Sequence, residues 1–471
     1  MARRVAIVGV GLTKCSSHRR DVTYPELVHE AVSAALADAV RAAAPQRLLP
    51  GRLASEGSRI PDRLSLVAGE PLGTGRWLSL LADDQGGRFA APLVLSPDGA
   101  RRAVPGDGAA EALVARLVVA PAAPESVFDW TVTGVANPSR GERAMGVDQT
   151  HESVVVGDAA VVKWAVEASP SPAPLLLPHL HEVGFTDVPT PWGFVECDGV
   201  LVAAVDGYLP DAVDGWTWCV DDLARGLARR RGTAPVASFP GRLGGLVGRL
   251  HAALATPSTL LPRPGGRAGR STIAGWHARA CDSLDGALAA LDGPAGDRLR
   301  HRAHLARAVI DELLLVSDTP TIHVHGDLHV GQVLRWSGGC AVTDFDGNPV
   351  LPPDERLRPE PAARDVAGML QALDHVARVA ARTRAGVDAS SVDGWIPDAQ
   401  RDFLSAYLAA LADGGARPWF DERLLAAFRV EQECRELAYA MTHLPRWRYV
   451  PEAALAALLS ELSRHHLPIE E

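Results

Sequence analysis

A change of hydrophobic period near residue 215 constrains this chain more than any other feature. Between about 128 and 210, β-branched and apolar residues come in short runs. "ESVVVGDAAVVKWAV" is two runs joined at Gly157-Asp158, and "PWGFVECDGVLVAAVDGYL" is two more joined at Asp198-Gly199. Two-residue joints of glycine with aspartate are hairpin turns. The segment between them, "PAPLLLPHLHEVGF", reads as a helix with a proline-disturbed start. From about 216 onward the period becomes helical. "FPGRLGGLVGRLHAALA", "GDRLRHRAHLARAVIDELLL", "PAARDVAGMLQALDHVARVAART" and "ERLLAAFRVEQECRELAYAMTHL" place apolar residues at i, i+3, i+4 and i+7. The pattern predicts an α+β chain, with a β lobe, a hinge and a helical lobe.

One polar stretch interrupts the helical half. "HVHGDLHVGQVLRWSGGCAVTDFDGNP" (His323–Pro349) sets Asp327, Gln332, Asp344 and Asp346 among residues of strand type. A lone carboxylate there would be a turn former, and His323, His325 and His329 would be ordinary core or surface histidines. The combination is more specific. Phosphoryl transfer needs an acid to orient the attacking hydroxyl, oxygen ligands for Mg²⁺, and a cation for the α/β-phosphates. His325-Gly326-Asp327 is followed by Gln332 at the amide spacing, and the strand "CAVTDF" then delivers Asp344. Lys163, in "AVVKWA", is one of only two lysines in the chain. Asp327 is therefore the candidate base, Gln332 and Asp344 the candidate Mg²⁺ ligands, and Lys163 the candidate phosphate contact. Asp346 either joins the metal shell or caps the following turn.

The 471 residues suggest two to four domains. With 47% hydrophobic and 22% charged residues the composition is globular, and no uncharged apolar run reaches membrane length. A net charge of −10 argues against general nucleic-acid binding. The six scattered cysteines form no CxxC pair, so zinc and redox motifs are excluded in favour of free thiols in a reducing compartment. The start lacks a long apolar core and a cleavage site, and a cytoplasmic location follows by default. Residues 1–45 read as a strand, "VAIVGVG", and an amphipathic helix; Gly9-Val10-Gly11 lacks the third glycine of a nucleotide motif. "RAAAPQRLLPGR" reads as a linker. Short apolar runs from about 50 to 125, closed by "GDGAAEALVARLVV", suggest a small, mostly β domain.

"HGDLHVGQVLR…DFDGNP" resembles the aminoglycoside phosphotransferase-like kinases, and within them the maltokinase-related sugar kinases of actinobacteria, over roughly residues 46–471. Residues 1–40 resemble the N-terminus of thiolase-like enzymes. The kinase resemblance implies a bilobal protein-kinase-like fold behind an N-terminal cap domain. On that basis 46–127 is the cap, 128–210 the kinase N-lobe and 211–471 the helical C-lobe, while 1–45 is an N-terminal extension: a mis-set start, a fusion remnant or an appended segment. It further implies that the loop near Gln149–Ser153 covers the phosphates, with the Thr150 and Ser153 hydroxyls standing in for the missing GxGxxG. Val202–Pro210, including Val205, Tyr208 and Leu209, falls at the hinge, where backbone groups would bind adenine; a plain buried strand is equally apolar. Such kinases pair the strand lysine with a helix glutamate. Here Glu182 comes late, so Lys163 is either positioned alone or paired with Glu182 after a shift.

The C-terminal "VEQECRELAYAMTHLPRWRYVP" bears on the acceptor. Glu433 and Glu436 are i, i+3 on a helix, Gln432 and Glu436 are i, i+4, and Trp447 follows the break at Pro445. An aromatic platform beside carboxylates suits a sugar, and two carboxylates suit an ammonium. An acid pair balanced by Arg429 and Arg435 on a solvated helix fits the same letters. The stretch, with "DQTHESVVVGD" and "DFDGNP", resembles a glucosamine-kinase subgroup. That resemblance implies Glu433, Glu436 and Trp447 as sugar contacts, ATP and Mg²⁺ as cofactors, and glucosamine 6-phosphate as product. Maltose, glucose or an aminoglycoside remain as acceptors, and a non-catalytic sugar-binding pseudokinase is the alternative of another class. The expected partner is a small amino sugar, without nucleic acid or membrane, bound by a monomer or homodimer.

Overall fold

The computed structural model describes residues 24–50, 53, 60–119, 126–134, 140–145, 152–230 and 239–466. The "VAIVGVG" strand, Gln149 and Thr150 lie outside the described residues. The chain divides into two compact units, Met1–Pro174 with Pro189–Pro210, and Leu175–Val188 with Asp211–Glu471. Among the described residues, no helix is long and apolar enough to cross a membrane.

The first unit begins with helix α1 (Tyr24–Ala42) and a four-stranded antiparallel meander, β1 (Ser65–Gly73), β2 (Arg76–Ala82), β3 (Arg88–Ser96) and β4 (Gly99–Arg102). Helix α2 (Ala109–Val119) follows. The meander is apolar on both faces because both are covered. Trp77, Leu81, Phe89, Ala91 and Leu93 pack with Leu36, Ala39 and Val40 of α1, while Leu78, Leu80 and Ala90 pack with Leu113, Val114 and Leu117 of α2. Strand alternation sorts neighbouring residues onto the two faces. The stretch expected to be a linker instead buries Leu48 and Leu49 in the α1 core. A methyl group at Gly69 would lie 2.5 Å from Leu36 Cδ2, so that position admits only glycine without repacking.

A second, six-stranded antiparallel sheet has the order β5-β9-β10-β8-β7-β6. Its strands are β5 (Asp129–Val132), β6 (Glu142–Ala144), β7 (Glu152–Val156), β8 (Ala160–Trp164), β9 (Pro191–Cys197) and β10 (Val200–Gly207). The two expected hairpins form. Gly157 and Asp158 have φ of 53° and 50°, and Asp198 and Gly199 have 50° and 72°, the left-handed pairs that two-residue turns require. Val154, Val162, Trp164, Ala203 and Val205 enter the same core as α2, so that helix is packed between two sheets. The Glu142 carboxylate closes the start of α2, accepting from the backbone N–H of Gly106, Gly108, Ala110 and Glu111 at 2.7–3.0 Å.

The second unit is mainly helical: α3 (Ala173–Glu182, of which Leu175 onward belongs here), α4 (Gly215–Arg230), α5 (Phe239–Leu254), α6 (Arg270–Ala290), α7 (Gly293–Asp311), α8 (Ala363–Thr383), α9 (Ala389–Asp413), α10 (Leu425–His443) and α11 (Tyr449–His466). Two short antiparallel pairs interrupt the helices, β11 (Gly265–Gly269) with β12 (Asp318–Ile322), and β13 (Val333–Trp336) with β14 (Gly339–Val342). Helices α6, α7, α10 and α11 share a core of Leu284, Leu299, Ile310, Leu437 and Leu458. Helices α5 and α9 approach closely because α5 offers glycines. An added Cβ at Gly244 would fall 2.0 Å from the Phe403 carbonyl oxygen, and one at Gly248 2.6 Å from that of Tyr407.

Candidate active site

The polar stretch is built on a buried acid. Asp365, near the start of α8, accepts from the backbone N–H of His325 (2.8 Å) and Gly326 (2.9 Å). His251 of α5 bonds the same carboxylate at 3.1 Å and the Tyr407 hydroxyl at 2.9 Å. Burial alone would raise the Asp365 carboxyl, but His251, His325 and the Gly326 amide outweigh it and hold the group below its usual range. Gly326 has φ of +87°, with Asn348 N 3.2 Å from where a Cβ would stand, so glycine is required there. The His325 ring is fully buried. Its Nε2 donates to Thr343 O at 2.8 Å, and its Nδ1 faces the Asp327 amide at 3.3 Å. His325 is thus a satisfied core histidine that ties the Asp327 loop to the strand leading into Asp344.

Around that frame the expected residues assemble. Phe345 buries its ring against His325, with centroids 4.8 Å apart. Gln332 ends a 3-10 turn (Val330–Gln332) capped by His329 Nδ1, which accepts from Gly331 N at 3.0 Å. Its amide nitrogen lies 3.3 Å from Asp344 Oδ2. Asp344 adopts the left-handed region, φ 69°, which an aspartate tolerates better than most residues. Asp346 follows Phe345, half-buried. Gln332 and Asp344 are hard oxygen-bearing side chains in mutual reach. They fit Mg²⁺, which takes one or two protein oxygens and fills its shell with phosphate and water. Turning the Gln332 amide would present its oxygen to such an ion. Burial pushes the Asp327 carboxyl up; His329, Arg435 and His325 pull it down, and Glu436 adds to the rise.

Asp327 adjoins a small internal space that it lines with Asn348, Arg364, Gly368, Glu431, Gln432 and Arg435. Gly368 and Gln432 also line a larger cavity of about 590 Å³, walled by Trp216, His329, Gln371, His375, Glu436, Tyr439 and Trp447. Glu436 accepts from Gln432 Nε2 at 3.0 Å. Two of the three expected sugar contacts, Glu436 and Trp447, therefore face one cavity beside Asp327. Glu433 does not. It is fully buried, and its carboxylate is held by Gln371 Nε2 and by His375 Nε2 at 3.0 Å, behind the wall those residues form. One helical step separates Glu433 from the face that carries Glu436, Gln432 and Tyr439 outward. Burial would lower His375, but the adjacent Glu433 carboxylate more than offsets this, raising its pKa to about 9.

The first unit holds the expected nucleotide residues. Lys163 lies opposite Ser153 of β7 and Ala204 of β10. Its Nζ is 3.0 Å from Asp206 Oδ2. The Glu182 carboxylate accepts from Thr259 N (2.7 Å) and Thr259 Oγ1 (2.8 Å). The acid beside Lys163 is thus a strand aspartate, while Glu182 is engaged elsewhere. Val205 is paired on both sides, with Val162 and Gly193, and its side chain is fully buried in the α2 core. Its place in mid-sheet removes it from the adenine-binding set. Tyr208 N donates to Ala159 O at 2.9 Å, and the Arg143 guanidinium stacks 5.0 Å from the Tyr208 ring. Leu209 is half-buried beyond the strand end.

Sequence reasoning missed Asp206, Asp365, His251, Gln371 and His375. One signal was present: Asp365 is a carboxylate set among Ala363, Val366 and Ala367 in an otherwise apolar helix start. No protein-family model matches this chain. It is 44% identical over 437 residues to the glucosamine kinase of Streptacidiphilus jiangxiensis, across 90% of this chain and 97% of that protein. It is 42% identical over 400 residues to the glucosamine kinase of Mycolicibacterium smegmatis, across 83% and 97%. A solved glucosamine kinase in complex with glucosamine, ADP and inorganic phosphate superposes with a TM-score of 0.76 at 43% identity, covering 90% of this chain and 99% of that one. A further crystal form of a glucosamine kinase gives a TM-score of 0.79 at the same identity and coverage. With relatives this similar over nearly their whole length, the chain belongs to the glucosamine kinases.

Proposed function

We propose that this protein transfers the γ-phosphoryl group of ATP to the 6-hydroxyl of glucosamine, giving glucosamine 6-phosphate and ADP. The observation that carries this reading is the cavity beside Asp327, into which Glu436 and Trp447 both face. Asp327 orients the hydroxyl and takes its proton as the new P–O bond forms and the β,γ-bridging oxygen leaves with ADP. Trp447 offers its ring to the apolar face of the sugar, and Glu436 accepts from the ammonium. Lys163 contacts the phosphates, with Ser153 beside it. Gln332 and Asp344, joined by Asp346, hold Mg²⁺, which supplies charge neutralisation on the phosphates. Most of the acceleration comes from positioning and fixed charge.

In this reading the first unit comprises the kinase N-lobe and a cap made of the four-stranded sheet with α1. The thiolase-like likeness of residues 1–40 assigns α1 no separate role, since α1 packs with the meander. The location is cytoplasmic. A coupled ADP-release assay on a panel of glucosamine, glucose, maltose and aminoglycosides tests the acceptor. Equal kcat/KM for glucose and glucosamine would remove the ammonium subsite. Asp327→Ala should retain nucleotide binding and lose at least about 100-fold in kcat; residual activity above about a tenth would remove the base.

A further inference from the structure

The face of the six-stranded sheet opposite α2 carries a second charge whose placement has no packing rationale. Strand alternation puts Ser153, Lys163, Ala204 and Asp206 on one side of β7, β8 and β10, while Val162, Trp164, Ala203 and Val205 go to the core. Asp206 lies opposite Val161, two residues along β10 from the partner of Lys163. That partner is Ala204, whose methyl group leaves the lysine stem room to lean along the diagonal. The ammonium then meets Asp206 Oδ2 at 3.0 Å.

The Asp206 side chain is only 5% exposed, and that of Lys163 22%. Aspartate is disfavoured in strands, and a buried ion pair rarely stabilises more than the apolar pair it displaces. Stability alone therefore does not account for it. Its other oxygen, Oδ1, is buried with no hydrogen-bond partner among the described residues. Among the described residues, no group takes up that acceptor capacity.

We propose that Asp206 is the positioning residue of the nucleotide site, fixing the Lys163 ammonium from the sheet itself. This rests on the reading of Lys163 as the phosphate contact. A strand-borne acid has a physical consequence. Asp206 and Lys163 lie on hydrogen-bonded neighbouring strands, so their separation is set by sheet register and not by the docking of a mobile helix. The lysine is then preset before nucleotide arrives, and the benefit falls on phosphates and not on the base.

Calorimetric titration with ADP and with adenosine tests this on the full-length protein. Asp206→Asn should weaken ADP about tenfold or more and adenosine less than twofold. Lys163→Met should show the same split, and its ADP affinity should equal that of the double variant Lys163→Met/Asp206→Leu within twofold. The double variant replaces the pair by apolar residues and serves if Asp206→Asn fails to fold. Equal losses of ADP and adenosine in Asp206→Asn, or a further tenfold loss in the double variant, would overturn the positioning role. An unchanged ADP-to-adenosine ratio in Lys163→Met would instead overturn the lysine reading. A split in Lys163→Met without one in Asp206→Asn would overturn Asp206 alone.

Discussion

Removing the Asp365 carboxylate should both destabilise the second unit and disable the loop that carries Asp327. In Asp365→Ala three donors lose their acceptor: the N–H groups of His325 and Gly326, and His251 Nε2. An orphaned buried donor costs about 1–3 kcal/mol, so about 1.5 for each gives a loss of about 4–5 kcal/mol. Asp365→Asn keeps one carbonyl oxygen but turns an amino group toward a donor, and about half of that loss is expected. Urea unfolding by tryptophan fluorescence measures the loss, and the coupled assay measures kcat, which should fall about 100-fold as the loop shifts. The penalty should also depend on pH. The native Asp365 carboxyl is held below its ordinary value, so its contribution is present above about pH 4 and disappears as pH falls through the depressed native pKa. A loss below about 1 kcal/mol with unchanged kcat would show that the loop is held by something else.

Trp447→Ala should raise KM for the sugar about tenfold with kcat and KM for ATP nearly unchanged, by steady-state kinetics; a fall in kcat alone would contradict the platform role. His375 is raised to about 9, so the stability it draws from Glu433 is fully present below about pH 6.5 and lost as pH rises through about 9. The gap in Tm between wild type and Glu433→Gln should therefore narrow from pH 6.5 to 10, and a constant gap would refute the ion pair. Gly244→Ala should cost about 2–3 kcal/mol in urea unfolding, because the new methyl meets the Phe403 carbonyl of α9; a neutral result would mean the two helices separate freely.

What the sequence disclosed and what it withheld divide along physical lines. The hairpins at Gly157-Asp158 and Asp198-Gly199 were legible because left-handed φ values restrict residue choice strongly. The Asp327, Gln332 and Asp344 set was legible because polar side chains in a strand-type stretch are costly without a use. Spacing places Glu433 and Glu436 near one helix face, yet one turns to the wall and the other to the cavity. Burial depends on what packs against α10, and no local pattern reports that. The stretch 41–52 read as a linker from its alanines and prolines, but a short segment with two leucines closes a core as well as a helix does. Asp206 escaped notice because its partner lies on a strand about forty residues earlier, and only pairing register brings the two together.

The position of α2 between two sheets carries a consequence for how such proteins diverge. Leu113, Val114 and Leu117 meet Leu78 and Leu80 of the meander as well as Val154, Val162 and Trp164 of the hairpin strands. A recombination event that exchanged the amino-terminal layer between two relatives would leave this helix with one inherited wall and one foreign wall. Inheritance should therefore move the whole block from α1 to β10 together, and drift in the meander should be answered by drift in the lysine-bearing strands.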